Sequence, residues 1–250
     1  VSAAAEAPVA PVALVTGGAR GLGAAIAGAL AAAGYRVVLG DRDLPRAQAT
    51  AARLGGHAVA LDVTSESAIE AALDTVEAAH GLPWLLVNNA AIMKAQKVLD
   101  IDIETFDTVM AVNLRGNFLC TQRFARRLRA RDQGGRIVNI GSLAGQNGGT
   151  ATGAHYAASK GAVHTLTKVF ARDLAPHGIT VNAISPGPLD LPSVAETIGA
   201  EAAARVAAGL PTGHLGDPAT VARMVVELAR PDAGSITGAT IDINCGLYLR

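Results

Sequence analysis

Seven short runs of the chain are apolar almost without interruption: "VALVT" (12–16), "RVVLGD" (36–41), "HAVALD" (57–62), "WLLVNN" (84–89), "RIVNIGS" (136–142), "ITVNAIS" (179–185) and "ATIDIN" (239–244). A strand with one wet face alternates apolar and polar positions, whereas a strand covered on both faces stays apolar along its length. These runs are therefore predicted as strands of a buried sheet. Between them the chain turns Ala-rich and helical in character, with helices expected to begin near Leu22, Leu44, Ser65, Ile103, Thr152 and Asp217. Strand followed by helix, repeated, requires right-handed crossovers and gives a seven-stranded, parallel, doubly wound sheet with helices on both faces.

No internal repeat, low-complexity tract or linker divides the sequence, so residues 1–250 read as a single α/β domain. Residues 1–10 lack a basic segment and read as a short loose leader. One stretch breaks the rhythm. In residues 186–216, "PGPLDLPSVAETIGAEAAARVAAGLPTGHLG", proline and glycine bracket a short helical insert, which suits a lid or binding loop as well as a plain connection.

Composition narrows the function. Lys plus Arg total 21 and Asp plus Glu total 21, which leaves no electrostatic footprint for nucleic acid or an anionic membrane surface. No apolar run is long enough to cross a bilayer without Gly, Pro or charged interruptions, so a soluble protein is expected. The two cysteines, Cys120 and Cys245, lie far apart and form no ligand cluster, which suggests a reducing, cytoplasmic compartment. His57, His80, His164, His177 and His214 show no metal-ligand spacing, and no metal site is expected. The basic run "RFARRLRARD" (123–132) falls at a helix end, where the dipole favours arginine without any ligand.

The chemistry concentrates in two places. The first strand runs into "TGGARGLG" (16–23), whose glycines Gly17, Gly21 and Gly23 let the backbone turn sharply and approach a ligand, while Arg20 and Leu22 lie at the helix start, where free N–H groups suit a pyrophosphate. The second strand ends at Asp41, a carboxylate suited to the ribose hydroxyls of NAD and repulsive to the extra phosphate of NADP. Arg20 and Arg42 each offer a partner to that phosphate, so NADP stays open. Later, "HYAASKGAV" (155–163) sets Tyr156 and Lys160 four positions apart, one helical turn, where an ammonium favours the phenolate and the pair suits proton transfer.

In order and spacing, "TGGARGLG", "LDV" (61–63), "NNAA" (88–91), "VNL" (112–114), "NIGS" (139–142), "YAASK" (156–160), "PG" (186–187) and "ITG" (236–238) resemble the short-chain dehydrogenases/reductases over nearly the whole chain. The resemblance implies a Rossmann fold and an NAD(P)-dependent oxidoreductase interconverting a secondary alcohol and a ketone. It assigns Ser142 to the substrate oxygen, Tyr156 to general acid and base, Lys160 to the nicotinamide ribose, and Asn113 to a main-chain water that leads protons away from Lys160. It gives Asp62 and Val63 to the adenine, Asn89 and Ala90 to the adenosine, and Pro186, Gly187 and Leu189 to the nicotinamide. Substrate contacts are expected from Ser142 and Tyr156, and the pocket wall from residues 144–150, His155 and the loop after Pro188. A 3-oxoacyl thioester reductase using NADPH, and a dinucleotide sensor without catalysis, are the competing readings.

Three positions depart from the family pattern. Ala91 replaces a glycine, Leu191 stands where a threonine commonly holds the carboxamide, and "INCG" (243–246) replaces Asp-Gly-Gly near the C-terminus. The helix carrying Tyr156 is also apolar around most of its circumference, which implies cover beyond the sheet. A symmetric dimer or tetramer through residues 103–129 and 152–175 is expected. Light scattering at micromolar concentration is expected to return that assembly, and a stable monomer would contradict it.

Overall fold

A computed structural model describes residues 10–149, 152–191 and 199–249. Most of the predicted leader and residues 192–198 of the insert lie outside the described residues. All seven predicted strands form: β1 (Val12–Thr16), β2 (Arg36–Asp41), β3 (His57–Ala60), β4 (Leu85–Asn88), β5 (Gly135–Ile140), β6 (Ile179–Pro186) and β7 (Thr240–Ile243). They pair in parallel in the order β3-β2-β1-β4-β5-β6-β7. Several strands stop short of their apolar runs because the chain peels off to other partners. Asn89, for example, donates its N–H to the Thr16 hydroxyl at 3.0 Å.

Nine α-helices accompany the sheet among the described residues: α1 (Gly21–Ala32), α2 (Leu44–Leu54), α3 (Glu66–His80), α4 (Ile103–Met110), α5 (Asn117–Ala130), the short α6 (Ala144–Asn147), α7 (Ala154–Leu174), α8 (Ala200–Ala208) and α9 (Pro218–Ala229). Ser65 and Asp217, predicted near helix starts, are the N-caps of α3 and α9, accepting from the N–H groups of Ala68 and Ala219. Asp43 and Asp102 cap α2 and α4 in the same way. Helix α7 begins two residues later than expected, behind Gly153. The expected helix from Ile103 is continuous to Ala130, but Ala111–Gly116 is a π turn joining α4 to α5.

The sheet is covered on both faces, as its unbroken apolar runs require. One core packs Ile26 and Leu30 of α1, Ala47 and Ala51 of α2, and Val221, Val225 and Leu228 of α9 against the strands. The other packs Ile69 and Val76 of α3, Phe124 and Leu128 of α5, and Leu174 of α7. Within this second layer runs a buried polar seam. Asn88 donates to Thr121 at 2.8 Å and to Asn139 at 2.9 Å, and Asn139 donates to Thr167 at 2.9 Å, so β4, β5, α5 and α7 are tied together beneath the strand ends.

The basic run does more than suit a helix dipole. Arg127 reaches Glu70 at 2.6 Å, Asp74 at 2.7 Å and Glu77 at 3.3 Å, and Arg123 reaches Glu66 and Glu70, so the arginines of α5 meet a carboxylate face on α3. Partly exposed pairs of this kind add little each, and their number sets how the two helices lie. No described helix is long and apolar enough to cross a membrane.

Because β1 lies beside β4, the chain leaves β1 toward one edge and returns to build the other. Loops diverge at that reversal, and the carboxyl ends of β1 and β4 open a crevice there.

Candidate active site

The glycine turn lies at the mouth of this crevice. Gly17 and Gly21 adopt φ of +64° and +56°, the left-handed region that side chains avoid. A Cβ on Gly23 would fall 2.2 Å from the Gly17 carbonyl, so close packing of turn on helix also demands glycine. Asn89 pins the turn from β4, its side-chain amide donating to the carbonyls of Thr16 and Gly17 at 3.0 Å each. Ala90 backs Gly17 so closely that an added Cβ there would meet its Cα at 2.8 Å. Unlike α2, α3, α4 and α9, helix α1 has no side-chain cap, and its first turn holds no acidic residue. Leu22 lies within that turn, which leaves backbone N–H groups toward an anion. The arrangement fits the pyrophosphate of a dinucleotide.

Asp41 stands beside this turn. Its carboxylate accepts from the N–H of Ala19 at 3.0 Å and of Asp43 at 3.0 Å, which fixes both oxygens. Arg20 and Arg42 are exposed. The Asp62 carboxylate accepts from the Thr64 N–H at 2.8 Å and hydroxyl at 2.7 Å, and these bonds, with Arg42 nearby, hold it below the usual carboxylate range. Val63 is buried against the π turn at Gly116.

On the other side of the crevice, α7 brings Tyr156 and Lys160 to the end of β5. The Ser142 hydroxyl lies near enough to the Tyr156 phenol to favour its phenolate. Ser142 Oγ also accepts from the Ala144 N–H at 3.1 Å, so its own proton is free for the phenol or a substrate oxygen. Lys160 Nζ donates to the Ile140 carbonyl at 2.7 Å and lies 5.8 Å from the Tyr156 ring centre. Asn113, in the π turn, exchanges two bonds of 2.9 Å with the main chain of Ile92 and donates to Ser159 at 3.1 Å. Ser159 in turn donates to the Tyr156 carbonyl at 2.7 Å, which joins the π turn to the helix segment between Tyr156 and Lys160.

Pro186, Gly187 and Leu189 follow at the end of β6. Gly187 lies so close to Asn244 that a Cβ would meet its Cα at 2.9 Å. The predicted insert is closed at its neck, where Asp190 donates to the Gly216 carbonyl at 2.8 Å and Gly216 to that of Pro188 at 2.9 Å. Leu191 packs on the core, and Ala91 is exposed.

One expected pocket residue is fully buried. His155 is 0% exposed, with its ring folded back on Gly153 and Nδ1 accepting from the Tyr156 N–H at 2.9 Å, so it faces inward. Of the expected wall at 144–150, Thr150 lies outside the described residues. Gln146, within that wall, has an amide that links Ser185 to Asp242 across the ends of β6 and β7. Sequence reasoning gave no site role to His164, whose signal is a spacing of eight from Tyr156 and whose Nε2 lies 3.1 Å from the Ser142 carbonyl.

A family model described as enoyl-(acyl carrier protein) reductase matches residues 17–248. The short-chain reductase protein NovJ of Streptomyces niveus is 38% identical over 246 residues, covering 94% of this chain and 93% of its own. The 3-oxoacyl-(acyl-carrier-protein) reductase FabG of Vibrio cholerae is 38% identical over 240 residues, covering 95% and 97%. Among solved structures, an actinorhodin polyketide ketoreductase with NADPH matches with a TM-score of 0.89 at 33% identity, covering 96% of this chain and 98% of that one.

Burial governs the two titrating groups. It raises the Tyr156 phenol above its ordinary value, against which the Ser142 hydroxyl acts, so acidification by the neighbouring amine is not the dominant influence that spacing alone suggested. It lowers Lys160 to about 8. Between about 8 and the ordinary 10.5 the unfolded chain therefore holds a proton that the folded chain does not, and stability rises with pH across that window. Below it, the folded protein carries the cost of a buried ammonium. Lys160→Met is expected to raise the melting temperature at pH 7 relative to wild type, with the advantage shrinking toward pH 10.5. An equal difference at both ends of the window would show that Lys160 is not strained by burial.

Proposed function

Since the chain belongs to the short-chain dehydrogenase/reductase family and is an oxidoreductase acting on CH–OH groups, we propose that it interconverts a secondary alcohol and a ketone with NAD, through Ser142, Tyr156 and Lys160. The observation that carries this reading is the convergence of Tyr156 and Lys160 on the end of β5 beside Ser142, with Lys160 Nζ bonded to the Ile140 carbonyl and 5.8 Å from the Tyr156 ring centre. When bound, the nicotinamide gives or takes the hydride.

The chain's own residues handle the proton. Ser142 holds the substrate oxygen with the proton that Ala144 leaves free. Tyr156 Oη gives a proton to that oxygen in reduction and takes it in oxidation. A phenol held high by burial keeps its proton until the substrate oxygen takes it, and a cation beside it stabilises the phenolate once the proton has gone. Lys160, near 8, is poised to exchange a proton in the working range of pH and to hold the ribose. Asn113 and Ser159 keep the two side chains in register through the π turn. The glycine turn, with Arg20 and Leu22, holds the pyrophosphate, Asp62, Val63, Asn89 and Ala90 surround the adenosine, and Pro186, Gly187 and Leu189 border the nicotinamide.

Asp41 supports NAD. With both oxygens fixed by backbone N–H groups, it cannot swing aside to admit a phosphate. The exposed arginines Arg20 and Arg42 favour the second reading, NADPH and a 3-oxoacyl thioester, as does the NADPH in the ketoreductase neighbour. We place the enzyme in the cytoplasm, as a dimer or tetramer acting on a small molecule.

Tyr156→Phe is expected to bind NADH as wild type does while turnover falls by about a thousandfold or more, in line with loss of a general acid. Near-normal rates in that variant would remove the mechanism. Wild-type kcat/KM is expected to favour NAD(H) over NADP(H) by about tenfold or more, and Asp41→Ser to shift the ratio toward NADP(H) by a similar factor. A wild type that prefers NADP(H) would overturn the cofactor assignment.

A further inference from the structure

Tyr156, Lys160 and His164 stand at i, i+4 and i+8 on α7, so all three fall along one stripe of the helix. Each reaches the same short stretch at the end of β5. The phenol lies near the Ser142 hydroxyl, the ammonium meets the Ile140 carbonyl, and the His164 imidazole meets the Ser142 carbonyl at 3.1 Å. A carbonyl only accepts, so Nε2 of His164 carries the proton in this bond. The ring lies directly against Gly141, where an added Cβ would come within 2.3 Å of it, and is 8% exposed. This buried, titratable group takes no part in the proton transfer described above.

The backbone around Ser142 is held from several sides: its carbonyl also accepts from the Gly145 N–H at 2.9 Å, and Lys160 ties the neighbouring Ile140 carbonyl to α7. Gly141 donates to the Ile184 carbonyl at 2.7 Å and Leu143 to the Pro186 carbonyl at 2.9 Å, both on β6. The His164 bond is the one that runs from an α7 side chain to the main chain of Ser142 itself. Because the Ser142 Oγ is set by its own backbone, fixing its carbonyl fixes the hydroxyl beside the phenol. We infer that His164 is a positioning residue for Ser142: its Nε2–H, on the same stripe as Tyr156 and Lys160, locks serine and tyrosine into one rigid unit. It touches neither substrate nor cofactor, and the inference rests on the function proposed above.

Two variants and one spectrum test it. His164→Leu fills the space without a donor, and His164→Gln keeps an N–H at similar reach. With a substrate on which wild type is active, His164→Leu is expected to lower kcat by about tenfold to a hundredfold, the scale of a small misplacement of reacting groups. Its KM and NADH affinity are expected to stay within about twofold of wild type, since only transition-state alignment is lost. His164→Gln is expected to restore most of the loss. A structural role alone would lower the melting temperature of both without this split. The 15N spectrum of the wild-type imidazole is expected to show Nε2 protonated, which tests the bond even if His164→Leu fails to fold.

Wild-type kcat in His164→Leu, a His164→Gln as slow as His164→Leu, or a bare Nε2 would each overturn the inference while leaving the proposed function standing. A wild type silent on alcohols and ketones with both NAD(H) and NADP(H) would instead overturn that function, and the positioning role with it.

Discussion

A lysine ammonium held at 3% exposure against a backbone carbonyl sets the terms for its surroundings. Burying that charge costs free energy, and the cost is tolerable only where polar groups face it and the packing admits no slippage. The end of β5 meets both conditions. Ile140 offers its carbonyl, and the seam of Asn88, Asn139, Thr121 and Thr167 binds the sheet to α5 and α7 just beneath. Satisfied polar groups inside a protein permit few alternative packings, so the register of α7 on β5 is fixed. Tyr156 stands beside Ser142 because Lys160 has nowhere else to go.

The two sides of the crevice are built to different ends. The cofactor side is a bare helix start, three glycines and an asparagine pinning a turn, a surface shaped by missing side chains. The chemical side is crowded with side chains that bond one another. A dinucleotide recognised largely through backbone N–H groups needs room, whereas proton transfer needs reacting atoms held to a fraction of an ångström. Between them the insert from Pro186 closes at its own neck, so changes along it need not disturb β6 or β7.

How much of this was legible in the sequence follows from distance along the chain. The seven strands were readable because a doubly covered strand has no polar face. The glycine turn, Asp41 and the Tyr156–Lys160 pair were readable because each is a local pattern with one geometric meaning. Ser142 and Asn113 came only through resemblance, since nothing nearby in sequence ties them to Tyr156. The ion pairs between α3 and α5 join residues about fifty positions apart, and a run such as "RFARRLRARD" names no partner. His155 and His164 differ for a reason of geometry: one has its ring drawn inward by the space at Gly153, while the other lies on the reactive stripe two turns farther on.

The π turn at Ala111–Gly116 also lay beyond reach, because hydrophobic periodicity cannot register one surplus residue in an otherwise regular helix. That surplus is absorbed within the turn itself, which makes the segment tolerant of arithmetic. Excise a single residue and the coil tightens into ordinary α-helix with its two flanks still in phase, because the wide turn had taken up the extra residue locally. Phe124 would then stay in its core and Arg127 on the acidic face of α3, whereas a residue removed from the regular part of α5 would turn everything beyond it by about 100°. The same one-codon deletion is thus a graver lesion one turn past the bulge than inside it.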